Sequence, residues 1–176
     1  MRKLLSISSI LFVLLCTASY SWAWDEKAAE EANVTLYDFI SADPTINNFF
    51  EKAYGYAVFP TIGKGGLIVG AAHGDGIVFK RGQHSGTTSM TQVSIGFQAG
   101  GQKYSEVIFF ENKKTYEHFI SGNFELSGQV SAVVAKEGAA ALTKYSKGIA
   151  IFVHTKSGLM AEASISGQKF SFKPKK

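Results

Sequence analysis

Apolar residues recur every three to four positions through WDEKAAEEANVTLYDFI, at Trp24, Ala28, Ala32, Leu36, Phe39 and Ile40. That period predicts an amphipathic helix. Asp25 and Glu26 fall in its first turn, where the helix dipole favours negative charge. Asp43-Pro44 predicts the start of a second helix, with a capping carboxylate ahead of a proline at the first helical position. Ile46, Phe49, Phe50 and Ala53 mark the apolar face of that helix and Gly55 its end.

After Gly55 the pattern becomes that of strands. Tyr56-Ala57-Val58-Phe59 and Leu67-Ile68-Val69 are short β-type runs punctuated by glycine. His73-Gly74-Asp75-Gly76 reads as a turn between residues 67–72 and 77–80, because Asp-Gly tolerates positive φ. A second hairpin is expected from alternation over 90–97, a turn at Gly100-Gly101 and a return over 104–110. Residues 113–120 read as a helix with Tyr116, Phe119 and Ile120 on one side, and 129–143 mix valines suited to a strand with alanines suited to a helix. A last hairpin runs over 148–154, turns at Lys156-Ser157-Gly158 and returns over 159–165, and Gly167 turns into a strand over 170–172. The whole predicts one α+β domain: a strongly curved, mostly antiparallel sheet or barrel-like core packed by short helices. The helical lead-in covers 24–54 and the sheet-rich core 55–172.

Glycine is dense between residues 53 and 79, which raises the question of a phosphate-cradling loop. A dinucleotide fingerprint needs G-x-G-x-x-G opening a helix. Counted from Gly63 the third glycine falls on Ile68, and from Gly74 it falls on Phe79. Lys64 is followed by Gly65 rather than Ser or Thr, so the P-loop pattern fails too. β-formers follow each cluster, leaving no helix N-terminus to receive an anion. These glycines read as turns, bends and close backbone approaches within a sheet.

Catalytic chemistry finds no foothold. His73, His84, His118 and His154 are scattered away from metal-ligand spacing. Ser85 follows His84, but Gly82 lies one position too early for a nucleophile elbow. Glu106, Glu111, Glu125 and Glu162 are isolated carboxylates. No catalytic residue, metal or cofactor is expected, and the chain is read as a non-enzyme.

The first residues carry a separate message. Met1-Arg2-Lys3, an apolar run to Cys16 and the small residues of Ser21-Trp22-Ala23 predict a secretory signal peptide over residues 1–23, cleaved after Ala23. Acylation at Cys16 is the alternative, with Leu15 large for that processing site. Cleavage leaves a chain without cysteine, hence without disulfides. Without Arg2 and Lys3 the balance is 16 basic against 14 acidic side chains, which gives no electrostatic claim on nucleic acid.

Several segments carry a family resemblance in a fixed order: YAVFP, the K-x-G of Lys64–Gly66, GLIVG and the G-x-G of Gly74–Gly76; then SIGFQAGGQKYSEVIFF; then KYSKGIAIFVHTKSGLMAEASISG. Across roughly residues 52–172 the chain resembles the SYLF domain family. The resemblance implies a lipid-binding module, since eukaryotic members bind phosphoinositides at membranes and some fungal members also bind actin. Secreted members resemble bacterial envelope proteins, where actin is absent. In eukaryotic members a basic amphipathic segment precedes the domain; here the corresponding helix carries Asp25, Glu26, Glu30 and Glu31 against Lys27.

The expected function is therefore non-catalytic binding of an anionic phospholipid membrane, in the periplasm or elsewhere in the envelope. The alternative is an envelope structural or protein-interaction module with an unknown protein partner. Lysine near an anionic surface contributes about 1 kcal/mol, and a buried phenylalanine about 1.5–3 kcal/mol. A lipid site thus needs both cations and apolar residues. The candidates are Lys64 in a loop, Lys80 and Arg81 after a strand, Lys103 in the second hairpin turn, and Phe49 and Phe50. Lys173, Lys175 and Lys176 add a basic tail.

Overall fold

A computed structural model describes residues 26–66, 69–95, 101–126, 131–157, 165 and 167–175. The signal peptide, Cys16, Leu67-Ile68, the Gly100 part of the expected second turn and the return strand over 159–164 lie outside the described residues.

Helix α1 covers 26–42 of the described chain. Ala28, Ala32, Leu36, Phe39 and Ile40 form its packed face, as the spacing requires. Asp43 then caps a 3-10 turn at Pro44–Ile46, accepting from Thr45 N, and α2 follows at Asn47–Lys52. The strands are β1 (Gly55–Gly66), β2 (Val69–Lys80), β3 (Gln83–Ile95), β4 (Gln102–Phe110), β5 (Phe124–Glu125), β6 (Ala132–Val134), β7 (Ile149–Ser157) and β8 (Lys169–Pro174). Helix α3 (Lys113–Ile120) lies between β4 and β5, and α4 (Ala139–Leu142) between β6 and β7. The stretch that suited both strand and helix thus supplies one of each.

The strands form one eight-stranded sheet in the order β5-β8-β3-β2-β1-β4-β7-β6. Every pairing is antiparallel except β6 with β7. The turn expected from Lys156 is not reached there, since Lys156 and Ser157 still belong to β7 and Ser157 pairs with Lys103, and two further expectations about connections need correction. His73-Gly74-Asp75-Gly76 is the middle of β2, paired with β1 from Gly55↔Lys80 to Gly66↔Gly70. The expected second hairpin does not form either: β3 pairs with β2 and β8, whereas β4 pairs with β1 and β7. The strands were legible but their partners were not, because the β1–β2 hairpin inserts between them.

The sheet curls into a half-barrel, and sequence explains where. Pro60 has no N–H to give to a ladder. The register of β1 slips beside it, between Val58 and Thr61 against β2 and between Phe59 and Ile62 against β4. Because of that bulge Phe59 and Ile62, three residues apart, both enter the interior cluster. Opposite the bulge, the glycines of β2 leave room. A Cβ on Gly74 would meet Ile62 Cγ1 at 2.7 Å, and one on Gly76 would meet Val58 O at 2.5 Å and Phe59 Cδ1 at 2.8 Å.

Both faces of the sheet are covered at one end. The concave face packs Ala57, Phe59, Val78, Met90, Ile108, Phe110 and Phe170 with Tyr116 and Phe119 of α3. The convex face packs Tyr56, Val58, Ile77, Val107, Phe109 and Phe152 beneath Phe39, Ile46 and Phe49. α4 is tied to the N-terminal helices by Asp43, whose Oδ1 accepts from Gly138 N at 3.2 Å and whose Oδ2 accepts from Ala140 N at 2.6 Å.

Candidate functional site

At the other end of the half-barrel, where β1 gives way to β2, no described helix packs on the convex face around Val69 and Val93. Alternation along β2 puts Val69, Ala71 and His73 there, all exposed, and β3 adds Val93 directly opposite Ala71. Val69 keeps 61% and Val93 71% of their surface in water. Gly63 and Gly65 lie beside them on β1, paired with His73 and Ala71, and a Cβ at either position would meet nothing within 4 Å. The described part of this convex face is thus a smooth strand surface with two exposed valines.

Two of the six candidate residues reach this end. Lys64 lies within β1 rather than in a loop, paired in register with Ala72 and Gln102, on the concave side of the tip. It is half-buried, and loss of solvent lowers its ammonium below the usual lysine range. Lys103 is exposed and lies within β4, opposite Gly63 and Ser157, rather than in a hairpin turn. Since Lys103 pairs with the neighbour of Lys64, the two cations flank the tip on opposite faces.

Lys80 and Arg81 stand at the far end of the same strands. Eight residues of β2 separate Ala72 from Lys80, a span of about 26 Å. Arg81 and Gly82, with φ of 49° and 76°, form the tight turn into β3. Both cations lean over Tyr54, with Lys80 Nζ 5.8 Å and Arg81 Cζ 5.2 Å from its ring centroid. The candidate cations therefore make two pairs, one at each end of the sheet. Phe49 is buried and meets Phe109, Tyr145 and Phe152 at ring separations of 5.4, 5.2 and 5.0 Å. Phe50 is partly buried against Tyr56 and Phe109.

The interior holds a polar group that sequence reasoning passed over. Glu106 and Gln168 expose none of their surface and Tyr104 1%. Gln168 Nε2 donates to Glu106 Oε2 at 3.0 Å and to the Tyr104 hydroxyl at 3.4 Å. Burial raises the Glu106 carboxyl to about 7, against a smaller lowering by the Gln168 hydrogen bond. The signal was present in β4: Tyr104, Ile108 and Phe110 on one face and Val107 and Phe109 on the other make a strand apolar on both sides, so a carboxylate between them has no route to water. Ser85, weighed as a nucleophile, instead donates to Val78 O at 3.0 Å and takes the Tyr116 hydroxyl at 2.8 Å.

Comparison with known proteins now adds to this geometry. Residues 91–176 match the family model described as Ysc84, Las17-binding protein actin regulator, which represents the SYLF domain. The chain belongs to the SYLF family. It is also 35% identical over 143 residues to Beta cell expansion factor A of Aeromonas veronii, a match that takes in 79% of this chain. The chain spans about half the length of that relative, 53%. The SYLF match begins in the second half of β3 and runs through β4, α3 and β7 to β8, so it includes Glu106 and Gln168 as well as Val93 and Lys103.

Proposed function

We propose that this SYLF protein is a non-catalytic binding module for anionic phospholipid, acting at a membrane surface of the cell envelope after removal of residues 1–23. The contact surface is the bare tip of the half-barrel. The observation that carries the reading is the coincidence there of two exposed valines, Val69 and Val93, with the exposed cation Lys103 on the same face and Lys64 on the concave side behind it. Neither ingredient is enough alone. Burying two valines supplies at most about 6 kcal/mol and two lysines about 2 kcal/mol. Together they supply at most about 8 kcal/mol, so micromolar affinity is the upper limit for this surface.

Membership of an actin- and lipid-binding family supports the lipid reading, and the smooth strand surface suits a flat partner. Lys80 and Arg81, held over Tyr54 at the opposite end, cannot touch the same plane and are left out of this site.

Vesicle flotation tests the reading. The protein should float with vesicles containing anionic phospholipid, float poorly with neutral ones, and partly release as salt shortens the Debye length from about 10 Å towards 3 Å. Val69→Asp with Val93→Asp should abolish flotation while the circular dichroism spectrum is unchanged, and Lys103→Glu should weaken it. A protein that stays in the soluble fraction with every vesicle and salt refutes the proposal and favours the protein-interaction alternative.

A further inference from the structure

Glu106 and Gln168 pose an accounting problem that the lipid reading does not touch. Each is fully buried, and each has one side-chain oxygen, Oε1, with no hydrogen-bond partner. A buried acceptor without a donor costs about 1–3 kcal/mol, more if charged, and folded interiors rarely keep two side by side. An ionised carboxylate only accepts, and so does an amide oxygen. One proton removes both deficits. A protonated Glu106 donates its O–H to Gln168, while Gln168 Nε2 continues to donate to Glu106 Oε2 at 3.0 Å. Acid and amide then close a ring of two hydrogen bonds.

The topology gives this pair a mechanical role. Glu106 belongs to β4, and Gln168 is the residue leading into β8. Strands β3, β2 and β1 lie between β8 and β4 in the sheet. Four strand spacings in a flat sheet would part them by about 19 Å. They touch instead, so their bond spans the mouth of the curl. We propose that Glu106 is a neutral acid in the folded protein, that its proton bridges to Gln168, and that this acid–amide pair is a proton-dependent clasp holding the half-barrel closed.

The surroundings agree. The groups facing Glu106 are Phe59 of β1 and Val153 of β7 in register, with Gln168 across the interior. Among the described residues the titratable side chain set against it is Tyr104, on its own strand, whose phenol is raised by burial and by Glu106. Lys64 projects on the concave side too, but two rungs nearer the tip, opposite Gln102. The α3 side chains buried in the interior are Tyr116 and Phe119 and from β8 Phe170, with Ile120 and Phe172 partly buried against them. Among the described residues no cation is brought up to stabilise an ionised Glu106, and the shift of its carboxyl to about 7 has burial as its main cause. Loss of the proton leaves a carboxylate facing an amide oxygen in an apolar interior. The relief is separation of the Gln168 segment, which opens the interior around Phe59, Met90 and Phe170 to apolar ligands.

The test follows the full-length mature chain from pH 5 to 9 by infrared spectroscopy and by fluorescence of an uncharged, environment-sensitive dye. At pH 6 ordinary carboxyls near pKa 4 are about 99% ionised, so a protonated-carboxyl band stands alone. The expected result is such a band at pH 6, lost with a midpoint between pH 6 and 8, with dye fluorescence rising several-fold on the same curve. Glu106→Gln, which keeps an amide pair at every pH, should lack the band and stay dark to the dye throughout. Should that variant fail to fold, glutamate-selective 13C labelling of the unaltered protein assigns the band. Absence of a protonated glutamate band at pH 6 overturns the proposal, with water or a cation then satisfying the two oxygens. A band that titrates without any dye response overturns the clasp. No vesicle enters the experiment, so its outcome is independent of the lipid reading.

Discussion

Replacing Asp43 with alanine should loosen the N-terminal helices from the rest of the fold, and the structure sets the size of the effect. The carboxylate exposes no surface. It accepts from Thr45 N at 3.0 Å, Thr45 Oγ1 at 2.6 Å, Gly138 N at 3.2 Å and Ala140 N at 2.6 Å. Thr45 Oγ1 in turn accepts from Ala141 N at 3.0 Å, so one aspartate and one threonine together cap the first turn of α4. Loss of a helix cap costs about 1 kcal/mol, and hydrogen bonds to a charged group contribute about 1.5–3 kcal/mol each. Asp43 lies just beneath the surface, where water can reach the vacated donors, so the net loss falls well below the sum of these contributions, to about 3 kcal/mol. With a urea slope of about 1–3 kcal/mol per molar, the unfolding midpoint at pH 7 should fall by 1 M or more, roughly. The pH dependence is the sharper test. Burial alone would raise the carboxyl, but the hydrogen bonds from Thr45, Ala140 and Gly138 outweigh it and hold it below the ordinary 3.8. A lowered folded-state pKa contributes stability that is complete above the unfolded value and disappears as pH falls through the folded one. The gap between Asp43→Ala and the unaltered protein should therefore be constant from pH 7 to about 5 and shrink below pH 4. A midpoint shift under about 0.3 M, or a gap that persists undiminished at pH 2.5, refutes this account of the aspartate.

The remaining predictions concern Glu106 and two glycines of the sheet. Glu106 should show the opposite pH sign: its folded carboxyl near 7 against 4.5 unfolded means stability is fully present below pH 4.5 and declines as pH rises to about 7, by about 3 kcal/mol in all. Glu106→Gln should lack that decline, so the difference in urea-unfolding free energy between the two proteins should change by about 3 kcal/mol between pH 4.5 and 8; parallel curves would sink the assignment. Gly76→Ala places a Cβ 2.5 Å from Val58 O and should destabilise by at least about 1–3 kcal/mol. Gly65→Ala, with nothing within 4 Å, should change stability by less than about 0.5 kcal/mol. Equal thermal-melting shifts for the two glycines would contradict the packing role given to Gly76.

Local signals were readable from the chain because they involve neighbours in sequence. The α1 stripe of Ala28, Ala32, Leu36 and Phe39, the cap at Asp43 and the α3 pair Tyr116 and Phe119 all appear where the periodicity placed them. Glycines that serve a curved sheet rather than a phosphate loop were also legible, through the β-formers that follow them. What failed was partnership. Gly74 and Gly76 carry the composition of a turn, yet their lack of a Cβ serves the side chains of Ile62 and Phe59 on the next strand. Lys103 looked like a turn residue because the alternation of β3 and β4 suggested a direct hairpin, whereas both strands pair elsewhere. Asp43 was recognised as a local cap, but its bonds to Gly138 and Ala140 span 95 and 97 positions. Of the candidate site, Lys64 and Lys103 reach one end; Val69 and Val93 were not singled out, because a strand valine is ordinarily a core residue, whereas these two keep most of their surface in water with no described helix over them.

That absence follows from the length of the strands. β1 and β2 each run for 12 residues, roughly 40 Å. α2, with 6 residues, reaches about 9 Å. The helices that pack on the convex face meet Tyr56, Val58, Ile77 and Phe79, all on the side of Pro60 away from the tip. Beyond the bulge the outward positions become Thr61, Gly63 and Gly65, which offer little apolar area to bury; α1 reaches as far as Thr61 and Asp75, through Lys27, Ala28 and Glu31, and no described helix lies over Gly63 and Gly65. The same slip of register sends Ile62 and Lys64 to the concave side, where Lys64 loses solvent and Ile62 fills the space beside Gly74. One proline thus divides the sheet into a double-sided packed base and a bare tip. Moving the bulge, rather than altering any charge, is the change that would most redistribute both the apolar tip and the enclosed Glu106.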